Sequence, residues 1–530
     1  MRTLKALGLV SAGTIVAFAQ ACGPTSSTCK ELHNCESRGG ASGNDGKSGA
    51  SGDAPGGSGN SGGTSGTSGI SGNGGSPGGS GSSGEAGTAG AGPTCDPTKS
   101  PSEEACLVND DYAIFVAPTG KDGGGGSKAG PVKTIAKALE LASQEKIVIA
   151  CDGTYEEQVK IAAGAKLYGG FACPGTANPW VYEAGKKAKV APAAKGVALS
   201  ITAAATAVAI EDFEFDAKDG LDPGESSIAA FVSGSTAVTL TRVKLVAGTG
   251  VNGSNGALAP LTLPDPLTLK GNPASGDTGG AFNTGMCSVG EKPRGGAGGY
   301  GGAGAVTTGG SGTPDLGMGK GGVAGSCSPN GTGQDGANAA PQPPALGATK
   351  LGSITPTGWT GAPGADGATG TPGQGGGGGA GALAGGGGGG GGSGGCGGAG
   401  ATGGKAGGSS IALLALNSSL TLTANELISA TAGSGGNGIA GQEGQLGGNG
   451  GLPDANGGCG GGKGGKGGQG GAGGGAAGGI SVGIAYQGTA PVADADTTVV
   501  TGIAGTKGVG GAPGMNDGID GVKQDVLQVL

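Results

Sequence analysis

Residues 114–171 read IFVAPTGKDGGGGSKAGPVKTIAKALELASQEKIVIACDGTYEEQVKIAAGAKLYGGF, and this stretch decides the fold. A short apolar strand is followed by a Gly/Lys/Asp loop. Residues 131–144 then place Val132, Ile135, Ala136, Leu139 and Ala142 on one face of a helix that starts at a proline. Such a helix can cover the open end of a strand stack, where unpaired backbone would otherwise meet water. Short strands come next at 146–150, 158–161 and 166–168, and the same texture continues at 197–201 and 208–215. Ile147 with Ile149, Val159 with Ile161, and Phe213 with Phe215 alternate at period two, so one side of each strand faces inward.

A repeat further along points to stacking. Ser226-Ser227-Ile228-Ala229 leads to Val238-Thr239-Leu240-Thr241 and then Lys244-Leu245-Val246. Ser409-Ser410-Ile411-Ala412 leads to Leu420-Thr421-Leu422-Thr423 and then Glu426-Leu427-Ile428. A degenerate copy runs from Gly479-Ile480-Ser481-Val482 to Thr497-Thr498-Val499-Val500. Units of roughly 20–30 residues suit one solenoid coil each. A single coil cannot bury its apolar side alone, so Ile228 and Ile411 are expected on adjacent rungs.

Several short motifs occur in a familiar order: Phe115-Val116-Ala117-Pro118-Thr119-Gly120, Gly130-Pro131-Val132-Lys133-Thr134-Ile135, Asp152-Gly153-Thr154-Tyr155, Tyr168-Gly169-Gly170-Phe171, and Trp180. Over roughly residues 112–246 the chain resembles an uncharacterised family of pectin-lyase-like right-handed β-helix surface proteins. The expected fold class is therefore all-β: a right-handed parallel β-helix with one N-terminal capping helix and long Gly-rich, largely irregular insertions. The expected division is 1–21 signal peptide, 22–94 anchor and tether, 95–249 first coils, 250–408 insertion, 409–430 coil, 431–478 insertion, and 479–530 last coil and tail.

Composition limits the alternatives. Glycine supplies 137 of 530 residues, aromatics 3% and charged residues 13%, so no large core can run the whole length. The net charge is −8, without a basic stripe, which argues against a nucleic-acid partner. The insertions carry three-residue periods, such as GAPGADGATGTPG at 361–373 and GGKGGKGGQG at 461–470. Composition favours disordered loop. The alternative is a bundle of polyglycine-II-like segments, three residues per turn, whose backbones approach closely because side chains are missing.

The N-terminus reads as an export signal, with Arg2 and Lys5 before an apolar 6–19 too short to span a bilayer. Ala19-Gln20-Ala21-Cys22 resembles a bacterial lipobox, although Leu is usual at the first position and Gln20 is bulky. The resemblance implies cleavage before Cys22, a lipid on its thiol and, with Gly23 next, an outer-membrane location. An ordinary secretory signal, with Cys22 removed or disulfide-bonded and the protein secreted, is the other reading. Residues 37–93 form a Gly/Ser tether of about 55 residues, spanning on the order of 40 Å as a coil. Of the 11 cysteines, Cys22 leaves ten that can pair. Nearest neighbours would join Cys29 to Cys35, Cys95 to Cys106, Cys151 to Cys173, Cys287 to Cys327 and Cys396 to Cys459, although sequence cannot fix connectivity. Disulfides suit an exported protein.

Site candidates are few. Glu211, Asp212, Glu214, Asp216, Asp219 and Asp222 form an acidic run that could offer oxygen ligands to Ca²⁺, with Asp212, Asp216 and Asp219 the weak candidates. A solvated strand face and turn is the favoured account of the run. Arg242 and Lys244 lie at similar phase on a later coil. His33, the only histidine, precedes the tether, so Ser/His/Asp and Cys/His catalysis is unavailable to the coils. No catalytic residue and no cofactor is assigned. Matches to GxGxxG are expected by composition and carry no information. The favoured reading is a non-enzymatic envelope lipoprotein, anchored to outer-membrane lipid and displaying Gly-rich loops for surface structure or adhesion. A polysaccharide-binding or lyase-like β-helix is the alternative, and polysaccharide or other surface proteins are the partners considered.

Overall fold

A computed structural model describes residues 95–142, 146–303 and 306–530. The signal, Cys22, Cys29, His33, Cys35 and the tether lie outside the described residues. In chain order, β1 (Ala113–Val116), α1 (Ile135–Leu141) and β2 (Ile147–Cys151) open the domain. Next come β3 (Gly153–Tyr155), β4 (Val159–Ile161), β5 (Ala165–Phe171), β6 (Ala188–Val190), β7 (Leu199–Thr202) and β8 (Val208–Glu211). They are followed by β9 (Phe213–Asp216), β10 (Ser227–Ser233), β11 (Val238–Thr241) and β12 (Lys244–Val246). A hairpin, β13 (Gly352–Thr355) and β14 (Gly358–Gly361), interrupts the winding. Then β15 (Ser410–Leu416), β16 (Leu420–Thr423), β17 (Glu426–Ile428), β18 (Ser481–Gln487), β19 (Val492–Ala493), β20 (Thr498–Val500) and β21 (Lys523–Gln528) complete it.

Three parallel sheets result. The first runs β1-β2-β5-β8-β11-β16-β19, the second β4-β7-β10-β15-β18-β21, and the third β3-β6-β9-β12-β17-β20. Each turn visits the third, second and first sheet in that order, which makes a parallel β-helix. Ile228 pairs with Ile411, and Ile411 with Val482, so the repeated units do sit rung upon rung.

The interior is built from columns of apolar side chains. Val159, Leu199, Ala230, Leu413 and Ile484 stack in one column. Tyr155, Val190, Phe215, Leu245 and Leu427 stack in another. All are buried, so each added rung removes apolar area from water on both its neighbours. On the outer side of the second sheet, Ile228, Phe231, Ile411 and Leu414 are covered by Ile354 and Trp359 of the β13–β14 hairpin.

Two expectations about the coils need correction. The helix begins at Ile135 rather than Pro131, because Val132 forms a parallel bridge with Val116. The Thr134 hydroxyl caps it by accepting from the Lys137 N–H, and the Glu157 carboxylate accepts from the N–H groups of Ile135 and Ala136. Second, 208–215 is not one strand. Asp212 has φ +55°, which turns the chain between β8 and β9, and Arg242 (φ +52°) and Ala424 (φ +52°) turn the same corner on later rungs. Asp212 therefore does not share the outward row of Glu214 and Asp216.

The insertions leave the solenoid at one recurring corner, between the third and second sheets. That corner is short at 156–158, longer at 191–198 and 217–226, and expands to 247–409, 429–480 and 501–522. The expanded parts are ordered by backbone hydrogen bonds at every third residue. Segment 386–408 lies at the centre. Gly364, Gly367, Gly370, Gly373, Gly376 and Gly379 donate to the carbonyls of Gly404, Ala401, Gly398, Gly395, Gly392 and Gly389, an antiparallel pairing. Gly389, Gly392, Gly395, Gly398, Ala401, Gly404 and Gly407 donate in turn, in parallel, to Cys459, Gly462, Gly465, Gly468, Gly471, Gly474 and Ala477. On another side Gly408, Lys405, Thr402, Ser393 and Gly390 donate to Val251, Ser254, Ala257, Leu269 and Asn272. Further donors reach the same segment from 433–454, as in Gly448 to Ser393 and Gly451 to Gly390.

Bonding in several directions at a three-residue period is the polyglycine-II arrangement, so the disordered-loop reading does not hold for these residues. Composition misleads because the stabilising term is backbone hydrogen bonding, which needs no apolar side chain. The rule for side chains is local. Gly375, Gly378 and Gly381 occur where segment 307–313 covers that side of 364–382, whereas Pro363, Asp366 and Thr369 occupy the equivalent, exposed positions beyond its reach. The bundle is also continuous with the solenoid: beyond β12 and β17 the same ladder goes on, with Ala247, Gly250, Gly253 and Gly256 donating to Ile428, Thr431, Ser434 and Asn437.

Disulfides join Cys95 to Cys106 and Cys151 to Cys173, as neighbour pairing predicts. The other two differ: Cys287 pairs with Cys396 and Cys327 with Cys459, rather than Cys287 with Cys327 and Cys396 with Cys459. Lateral packing of the glycine segments, with 333–342 running parallel to 460–469, brings cysteines distant in sequence to Cα separations of 5.4 and 5.2 Å.

Candidate functional site

The acidic run and its basic partners meet on the outer face of the third sheet. Alternation aims Tyr155, Val190, Phe215, Leu245 and Leu427 inward, so their neighbours point out. Parallel register then stacks Thr154, Lys189, Glu214, Lys244, Glu426 and Thr498 in one row. Lys189 Nζ lies 2.9 Å from Glu214 Oε1 and 2.7 Å from Asp216 Oδ2, and Lys244 Nζ lies 3.4 Å from Glu426 Oε2. Hydrogen bonds to the Asp216 and Glu214 carboxylates raise the pKa of Lys189. Exposed pairs of this kind contribute about 0–1 kcal/mol each, so the row aligns rungs more than it stabilises them.

The adjoining corner is tighter. Asp212 is 2% exposed. Arg242 grips its carboxylate with Nε to Oδ1 at 3.0 Å and Nη2 to Oδ2 at 2.8 Å, and Nη2 also reaches Glu211 Oε2 at 3.0 Å. The Tyr182 hydroxyl donates to Asp212 Oδ2 at 3.1 Å, and the Ser100 hydroxyl to Glu211 Oε2 at 2.8 Å. Hydrogen bonding to Asp212 raises the pKa of Arg242; burial, with the Asp212 charge, raises that of Tyr182. Lys187 donates Nζ to the Arg242 carbonyl, and burial pushes its pKa down. Lys186 bridges Asp152 and Glu183 at 3.1 Å each. Between the corner and the row lies a groove of 500 Å³, lined by Asp152, Lys186, Lys187, Lys189, Glu214 and Lys244 among others.

The Ca²⁺ candidates are not brought together. Asp212 is held by Arg242, Asp216 faces Lys189, and Asp219 Oδ1 accepts the Thr249 N–H at 2.6 Å. Among the described residues no group of acidic, His or Cys side chains converges as a metal site. The Asp212–Arg242 pair was accessible from sequence: aligning Val238-Thr239-Leu240-Thr241 on Val208-Ala209-Ile210-Glu211 puts Arg242 directly over Asp212. Lys187 and Lys189 left no such signal, since isolated lysines on a short strand look like any solvated face.

Replacing Arg242 with methionine should cost about 3 kcal/mol, because a carboxylate stays buried with one hydroxyl donor. Replacing Lys244 with methionine should cost well under 1 kcal/mol. Urea denaturation of the two variants checks the contrast.

The fold and this groove define a parallel β-helix with a charged outer face. Residues 118–213 match a family model described as "Protein of unknown function (DUF1565)". A solved structure of a rhamnogalacturonan lyase is similar at 15% identity and a TM-score of 0.18. The alignment covers 27% of this chain and spans 37% of that one, a likeness too slight to bear on activity. A search of curated proteins finds no match.

Proposed function

We propose that the protein is a non-enzymatic scaffold of the cell envelope, in which the β-helix carries the glycine bundle outward for surface structure or adhesion. The observation that supports this reading is the continuity of the sheet ladder with the bundle. The ladder passes from β12, β17 and β20 straight into glycine segments, for example from Ser429 to Val500, then Ala432 to Ile503, Gly435 to Thr506 and Gly438 to Val509. A rigid element held on so many backbone bonds suits display better than a catalytic lid, which needs low local stability. The lipid on Cys22 and the outer-membrane location belong to the same proposal and rest on the N-terminal sequence.

Cell fractionation with surface protease digestion, alongside labelling with a fatty-acid analogue, tests it. The expected result is a labelled, surface-accessible protein whose label disappears in Cys22→Ala. An unlabelled protein in the medium would remove the anchor, and a protein confined to the cytoplasm would remove the whole reading.

One observation favours polysaccharide cleavage instead. Lys187, its pKa lowered by burial, lines the 500 Å³ groove, and a proton-abstracting lysine needs such a shift. Incubation with polygalacturonate or alginate, with and without Ca²⁺, would show unsaturated-uronate absorbance lost in Lys187→Ala if this second reading held. Binding without turnover would leave a lectin-like role on the scaffold.

A further inference from the structure

The two ends of the solenoid are finished differently. At the first end α1 lies across the coil, and Ile135 and Ala138 are buried against Val148 and Val159. At the other end β19, β20 and β21 are the outermost strands of their sheets. The interior columns run out there: Val526 stacks on Ile484, Val499 on Leu427 and Ala493 on Leu422. Where their predecessors are fully buried, Val526 is 51% exposed, Ala493 is exposed and Val499 is only half-buried. An open ladder edge combined with an exposed apolar interior is a template for pairing with another strand.

We propose that this face is the interface between two copies of the chain, joined end to end about a two-fold axis. Head-to-tail stacking is blocked, because α1 covers the end that a second copy would have to meet. An isologous contact uses one self-complementary patch. The β21 edge, Lys523-Gln524-Asp525, has that property: paired antiparallel to itself about Gln524, Lys523 of each copy faces Asp525 of the other. Neither side chain forms an ion pair among the described residues, and both are exposed. The contact closes the apolar columns on both sides and does not use the charged groove of the third sheet, so it is independent of any enzymatic role.

Sedimentation velocity of the full chain, in detergent if lipidated, gives the test. The expected species has twice the monomer mass. Asp525→Lys sets two lysines against each other and should weaken the dimer at least about tenfold. The charge swap Lys523→Asp with Asp525→Lys restores opposite signs and should restore the dimer. Because all these positions are exposed, the variants keep their circular dichroism and melting behaviour. A monomer at every concentration would overturn the proposal. So would a dimer indifferent to Asp525→Lys, or a monomer in which Val526 amide exchange is already slow, which would mean the chain's own N-terminal segment covers the face.

Discussion

Gly378→Ala is expected to unravel the glycine bundle at a cost above about 4 kcal/mol. A Cβ at that position would lie 1.9 Å from the Ala297 carbonyl oxygen and 2.3 Å from its carbon. Both are backbone atoms of a neighbouring segment, so no rotamer change relieves the clash. Gly378 is also held on two other sides, donating to the Gly310 carbonyl and accepting from the Gly322 N–H, each at 2.8 Å. Moving the chain to make room breaks those bonds and leaves buried backbone groups unpaired. Gly460→Ala is the matched control. Only Pro453 Cδ, at 4.0 Å, would meet its Cβ, so the substitution should be neutral or stabilise by about 0.4–1 kcal/mol through the unfolded state. Melting curves for the two variants should separate widely, and equal shifts would mean the segments are not close-packed.

The second large effect concerns Cys327–Cys459, which closes a sequence separation of 132 residues. Removing a cross-link over a loop that long frees an unfolded chain worth about 5 kcal/mol in the chain-entropy estimate. Cys327→Ser with Cys459→Ser should lose most of that, seen as a lower denaturant midpoint, with loss confined to the bundle. The charged row and the coils through β11 should keep their stability, because their contacts are made by other residues. A loss below about 1 kcal/mol would show that the segments already confine the unfolded chain.

How much of this was visible in the sequence depends on which atoms hold each part. The solenoid announces itself through side chains: Ile228, Ile411 and Val482 recur in register on the outer side of the second sheet, while Leu240 and Leu422 recur because each fills the same interior slot. The capping helix was visible too, apart from its first turn, where Val132 goes to a bridge with Val116 instead. The bundle was only half legible. Its three-residue period shows in the text, but glycine carries no side chain to say which segments meet, so Cys287 and Cys327 looked like natural partners. The acidic run failed for a related reason. Reading 208–215 as one strand puts Asp212 on the same side as Glu214 and Asp216, whereas a residue at φ +55° reverses the phase, and nothing in a single copy marks that position as a corner.

Amide hydrogen exchange across 386–408 tests the central claim most directly, that glycine segments form a hydrogen-bonded polyglycine-II core continuous with the β-helix. The bonding pattern predicts strong protection of Gly389, Gly392, Gly395, Gly398 and Gly404, comparable with β10 and β15. Exchange of those amides at random-coil rates, while β10 and β15 stay protected, would contradict it.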